Sequence, residues 1–132
     1  MATVSSMPPI LRMRRSAQSG ARAMTAAYAV VYTENTTTSA LAYIFNGAII
    51  DLSPMLAGDV INIRVRKILV PSGSFVIHDV MTYRDAQPAT HPAIHILSIP
   101  DIYGVEIAMQ QTAGVLRTVN VEAYDAKRLG LT

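Results

Sequence analysis

From residue 26 onward, short apolar runs alternate with clusters of turn residues, and the period inside the runs is two. In GDVINIRVRKILV (58–70), Ile61, Ile63 and Val65 fall on one side and Asn62, Arg64 and Arg66 on the other. That alternation is the signature of a strand with one buried face. YGVEIAMQQ (103–111) sets Val105, Ile107 and Met109 against Glu106, Ala108 and Gln110, and LRTVNVEAYD (116–125) sets Val119, Val121 and Ala123 against Thr118, Asn120, Glu122 and Tyr124. AAYAVVYTENTTT (26–38), SFVIHDVMTY (74–83) and AIHILSI (93–99) add β-branched and aromatic runs of strand type. SALAYIFNGAIIDL (39–52) carries Asn46-Gly47 between two apolar runs, which predicts a tight hairpin. RDAQPATHP (84–92) reads as a loop, because its prolines cannot donate to a ladder. Seven to eight strands between regular turns, with no convincing long helix, predict an all-β chain folded as an antiparallel β-sandwich or jelly roll.

The first 25 residues do not share this pattern. MATVSSMPPILRMRRSAQSGARAM contains Pro8-Pro9 and several Ser and Gly residues, and a short helix over 10–23 would lack a clean apolar stripe. The reading is therefore a basic, extended N-terminal arm over 1–25, a sandwich domain over 26–126 and a short tail over 127–132. Charge supports the division. Arg12, Arg14, Arg15 and Arg22 precede the first acid, Glu34, so residues 1–33 carry +4, while the other 99 carry seven bases and nine acids, or −2. Such an arm could be a targeting peptide, a phosphate-binding arm for nucleic acid, or an assembly arm that reaches acidic surfaces of neighbouring subunits. The third reading is preferred. It expects the arm to stay on the mature protein, and residues 2–25 to be removable without unfolding the body.

Composition narrows the function classes. Hydrophobic residues make up 51% of the chain and charged residues only 15%, lean for a small free-standing domain, so some apolar surface is expected to be covered by other subunits. Cysteine is absent, which excludes disulfides, thiolate chemistry and Cys-based zinc sites. No apolar run approaches the ~20 residues of a membrane span.

The residues that could carry chemistry are sparse. His91 and His95 are separated by Pro92 and enter a strand, so helical ligand spacing does not apply, and no H-x-H pair exists. His78 could meet His95 across a sheet. No G-x-S-x-G elbow or phosphate-binding glycine loop is present. Glu106 and Glu122 could be neighbours on adjacent strands, and Asp79 lies near Asp85, but opposing Arg64 or Arg117 explains these carboxylates as ion pairs. The expectation is a non-enzyme without metal or cofactor. Tyr83 and Tyr103, near loops, are the candidate ligand contacts of a lectin-like alternative.

Over residues 58–125 the chain runs through a Gly58-Asp59 strand, a strand ending at Tyr83, the Gln87-Pro88 loop, a P-x-x-x-G-V-x-I strand from Pro100, the Gln111-Thr112-Ala113-Gly114 turn and a final V-x-V-x-A-Y strand from Val119. This order resembles small jelly-roll proteins of double-stranded DNA viruses and tailed phages that act as capsid decoration, cement or minor capsid subunits. The resemblance implies a structural role in the virion, assembled in the host cell cytoplasm. It also implies symmetric homo-oligomers, contact with a major capsid protein and no catalytic residues.

Overall fold

A computed structural model describes residues 13–35, 43–97 and 103–127. It is all-β, with no helix among the described residues. The strands are β1 (Met13–Arg15), β2 (Gly20–Ala23), β3 (Ala29–Asn35), β4 (Tyr43–Asp51), β5 (Val60–Ile68), β6 (Phe75–Arg84), β7 (Ala93–Ile96), β8 (Gly104–Ala113) and β9 (Thr118–Lys127). They form two antiparallel sheets packed as a β-sandwich. Sheet A runs β1-β9-β4-β7, with β2 also on β9, and sheet B runs β3-β8-β5-β6. Pairing is nested: β1 and β2 meet β9, β3 meets β8, β4 meets β7, and β5 meets β6.

The alternating positions behave as the period of two requires. Ile61, Ile63 and Val65 from β5, Val105, Ile107 and Met109 from β8, and Val119, Val121 and Ala123 from β9 all enter one buried core. Tyr32 and Phe45 meet there with ring centroids 5.2 Å apart, within the range of favourable aromatic pairs. Their polar neighbours face outward, so each sheet keeps one dry and one wet side.

Two sequence expectations are corrected. The chain does not turn at Asn46-Gly47; β4 passes straight through it, and the register against β9 shifts between Phe45 and Ala48. A β-bulge uses the same residue as a hairpin would, because both need a positive φ that glycine tolerates. Gly47 has φ +121°, and a Cβ there would sit 3.3 Å from the Ile96 carbonyl oxygen. Secondly, residues 13–23 are neither irregular nor helical. They add β1 and β2 to the outer side of β9, so the described part of the first 25 residues belongs to the sandwich, and the boundary expected at residue 26 is not a boundary of the sheet.

β1 and β2 act as one interrupted strand. Between them the Ser16 amide donates to the Ala123 carbonyl at 2.7 Å, and the Ser19 hydroxyl accepts from the Ala123 amide at 2.9 Å. A side chain thus stands in for the missing ladder bond, which keeps this backbone satisfied where residues 16–19 loop outward.

One end of the sandwich is closed by a buried polar cluster. The Asp59 carboxylate, 1% exposed, accepts from Arg117 Nε at 2.6 Å and from the Leu56 amide at 2.8 Å. The Gln111 side-chain amide donates to the Ala113 and Val115 carbonyls, and its oxygen accepts from the Arg117 amide. The buried Asp59 and Gln111 side chains therefore both meet hydrogen-bond partners. Gly114 makes the approach feasible: it has φ +85°, and a Cβ would overlap the Asp59 carboxylate and lie 2.8 Å from Asp59 Cα.

Two outcomes follow from this cluster. Gly114→Ala should destabilise the fold by more than the roughly 1–2 kcal/mol of a left-handed residue alone, read as a lower denaturant midpoint. The Arg117 hydrogen bond, aided by the Leu56 amide, holds the Asp59 pKa below its ordinary value. A depressed folded pKa gives stability that is present above about pH 4 and is lost as pH falls through the lowered value. Asp59→Asn should lower stability at neutral pH and flatten the acid limb below about pH 4, as followed by denaturant midpoints across pH.

Candidate functional site

The cations expected to reach neighbouring subunits are used inside the chain wherever they are described. Arg14 Nε meets Asp125 at 2.8 Å, and the Asp125 side chain is only 3% exposed. Arg15 Nε meets Glu122 at 3.1 Å, with both side chains about half exposed, a pair of small energetic weight. Arg22 sits opposite Val119 on β9, and its guanidinium donates to the Gln18 and Val31 carbonyls, the latter at 3.2 Å. It therefore ties sheet A to β3 of sheet B. Arg12 lies outside the described residues.

Gln18 adds a second tie. Its side-chain nitrogen donates to the Thr33 carbonyl and its oxygen accepts from the Thr33 amide, both at 2.8 Å. A side-chain amide here mimics a neighbouring strand and occupies the free edge of β3. The loop between β1 and β2 thus covers a sheet edge that would otherwise offer unpaired backbone groups.

The other sequence candidates are dispersed. His78 lies on β6 in sheet B and His95 on β7 in sheet A, so they do not meet across one sheet. His91 bonds the Thr90 hydroxyl in the loop before β7. No group of three or more His, Asp or Glu suited to a metal ion occurs among the described residues. Glu106 and Glu122 lie in different sheets, not on adjacent strands. Tyr83 stands opposite Ile61 on β6, packs against the core and donates to Met81 Sδ. Tyr103 precedes β8 at the end of sheet B away from Tyr83, since Ile61 pairs with Gln111 near the far end of that strand. The two tyrosines do not form one platform.

Two arrangements emerge that sequence alone did not assemble. On the outer face of sheet B, Glu106 (8% side-chain exposure) receives Arg66 Nη2 at 2.6 Å and Arg64 Nη2 at 3.6 Å. The Arg64 guanidinium lies 4.2 Å from the Tyr28 ring centre, and that of Arg66 lies 5.3 Å from Phe75, both within cation–π range. Their polar positions in β5 and β8 were visible in the alternation, and Arg64 opposite a carboxylate was expected; the roles of Arg66, Tyr28 and Phe75 depended on strand register. On the outer face of sheet A, a shallow depression of about 340 Å³ is lined by Arg15, Gly20, Ile49, Asp51, Asn120, Val121 and Glu122. Tyr124, hydrogen-bonded to Glu122, and then Arg15 lower the Glu122 pKa. A carboxylate held ionised is the opposite of a general acid poised near neutral pH.

The apolar surface is concentrated elsewhere. Of eleven exposed large hydrophobics among the described residues, Leu69, Val70, Val76, Ile77 and Val80 lie on the β5–β6 turn and β6. This hairpin is the most apolar exposed element described. The chain matches no family model, no curated protein and no solved structure.

Removing residues 1–23 should do more than detach an arm. It strips both strands from β9 and leaves Asp125 buried without Arg14, where an unsatisfied polar group alone costs about 1–3 kcal/mol. The expected outcome is loss of cooperative unfolding or of soluble protein, followed by circular dichroism. A truncated chain that melts as sharply as the full one would restore the separable arm.

Proposed function

We propose that this chain is a non-catalytic virion structural protein, a capsid or capsid-decoration subunit that assembles with copies of itself and with a major capsid protein. The observation that carries the reading is the nested strand order. With β1 and β2 counted as one interrupted strand, the sheets run 1-8-3-6 and 2-7-4-5, and the neighbours 1–8, 2–7, 3–6 and 4–5 are hydrogen-bonded. We read this as a hairpin ribbon wrapped into a jelly roll, an architecture found in viral capsid and lectin domains.

Fold analogy alone does not assign function. The choice of a capsid subunit over a lectin draws on the separated tyrosines, and on apolar side chains exposed on one hairpin. The nucleic-acid alternative draws no support from Arg14, Arg15 or Arg22, whose charges or donors are engaged within the chain. The resemblance of residues 58–125 to small viral capsid proteins points the same way.

Light scattering on the purified chain tests the reading directly. A homo-oligomer at micromolar concentration is expected; a strict monomer across that range would remove the basis for an assembly subunit.

A further inference from the structure

The four ends of the two sheets are not equally protected. Sheet A ends on β7, four residues long, and on β1 and β2, of three and four residues. Sheet B ends on β3, whose Thr33 is occupied by Gln18, and on β6. β6 is ten residues long, and no described strand pairs with its outer side. It carries Val76, Ile77 and Val80 at 49%, 59% and 48% exposure. A long apolar edge with unpaired N–H and C=O groups is a template for another strand.

We propose that β6 pairs antiparallel with β6 of a second copy, joining two sheets B into one continuous sheet across a two-fold axis. This rests on the reading of the chain as a self-assembling subunit and names the surface used. The register follows from the bulge in β6. Val65 faces Asp79 and Arg66 faces Ile77, so His78 is the extra residue. Phe75 and Ile77 before it share the outer face with Val80 and Thr82 after it, because they stand opposite Ile68, Arg66, Arg64 and Asn62 respectively. Met81 and Tyr83 face the core.

A two-fold axis perpendicular to the sheet keeps outer face with outer face. Ile77 and Phe75 must then meet even-numbered residues of the second copy's later half. Among such registers, one pairs Ile77 with Val80, Val76 with Met81 and His78 with Asp79 of the second copy, each twice. It sets the aliphatic Ile77 and Val76 against Val80 and Met81, Phe75 against Thr82 at the flank, and an imidazole N–H donor against a carboxylate. A shift by two residues in one direction sets Val76 against Asp79; in the other it sets Phe75 against Arg84 and His78 against Met81. The bulge, which blocks indiscriminate edge pairing, lies at the axis in the chosen register and leaves both flanks free to form ladder bonds.

The absence of cysteine allows a register test without competing thiols. Ile77→Cys and Val80→Cys chains are made separately, unfolded together in equal amounts, refolded and oxidised. In the proposed register the two positions face each other at about 4.5–5.5 Å between Cα atoms, inside the range a disulfide spans. Either position lies about three residues, or roughly 10 Å, from its own mate. The mixture should give disulfide-linked dimer, and each variant alone should lose it. Ile77 and Val80 are 59% and 48% exposed, so the variants should fold, as circular dichroism checks. In the unmodified protein, amide exchange over 75–82 should slow on going from dilute to concentrated solution. An oligomer by light scattering with no mixed disulfide and no slowed exchange overturns the β6 pairing and leaves the assembly reading standing. A dimer linked through either single variant overturns the register. A strict monomer overturns both readings.

Discussion

The nested pairing of the chain, first strand with last and each inner strand with its mirror in sequence, is the constraint on which the other features depend. β9 is the second strand of sheet A, held between β4 and the β1–β2 segment. Sheet A therefore cannot close until both ends of the chain have come together. Among the described strands, only the β5–β6 pair joins strands consecutive in sequence; the other neighbours in the two sheets are reached across an intervening strand or more. Such topology delays the reward for closing each loop. It makes the β5–β6 hairpin the local unit that can form first, with the sheets assembled around it.

That constraint also explains what became of the basic segment. Once β9 is interior, its outer side needs a partner, and residues 13–23 supply one. Strand pairing brings Arg14 to Asp125 and Arg15 to Glu122, so the positive segment and the acidic last strand neutralise each other within one molecule. Of the four arginines behind the charge split along the sequence, Arg14 and Arg15 thus have ion-pair partners within the chain. The interruption between β1 and β2 has a use as well: residues 16–19 leave the sheet, and Gln18 reaches β3 in the opposite layer. Arg22 does the same from β2. Two polar side chains thus hold the layers together at an edge where the apolar core ends.

Legibility in the sequence followed how local each feature was. The alternation in β5, β8 and β9 identified core and surface faces residue by residue, because burial on one face imposes the period directly. Asn46-Gly47 misled because the residues that permit a turn also permit a bulge; the outcome was decided by β7 and β9 flanking β4, which no local pattern reveals. Residues 13–23 misled because their apolar content is too low to announce strands, and their pairing rests on the backbone and on Ser16 and Ser19. The Arg64–Glu106–Arg66 face was half legible: each residue sat on the outer side of its strand, but only the β5–β8 register, with Arg66 opposite Glu106 and Arg64 opposite Ala108, set both guanidinium groups around one carboxylate. His78 and His95 parted because the chain crosses from sheet B to sheet A between β6 and β7.

The treatment of edges gives the final step. A sandwich has four sheet ends, and unpaired backbone at each invites association. Here short strands end sheet A, and Gln18 occupies one end of sheet B. Had β6 been protected in the same way, it would be short, charged along its length or covered. It is ten residues long with three exposed aliphatic side chains. Its protective features are a bulge at His78 and the charged residues Asp79 and Arg84. Those features do not close an edge; they restrict which strands can join it, since a partner must accept the bulge and meet Asp79 with a donor. A second β6 satisfies both requirements through its own His78. Under the proposed pairing, the openness of the β6 edge is a matter of specificity, set by the bulge and by Asp79.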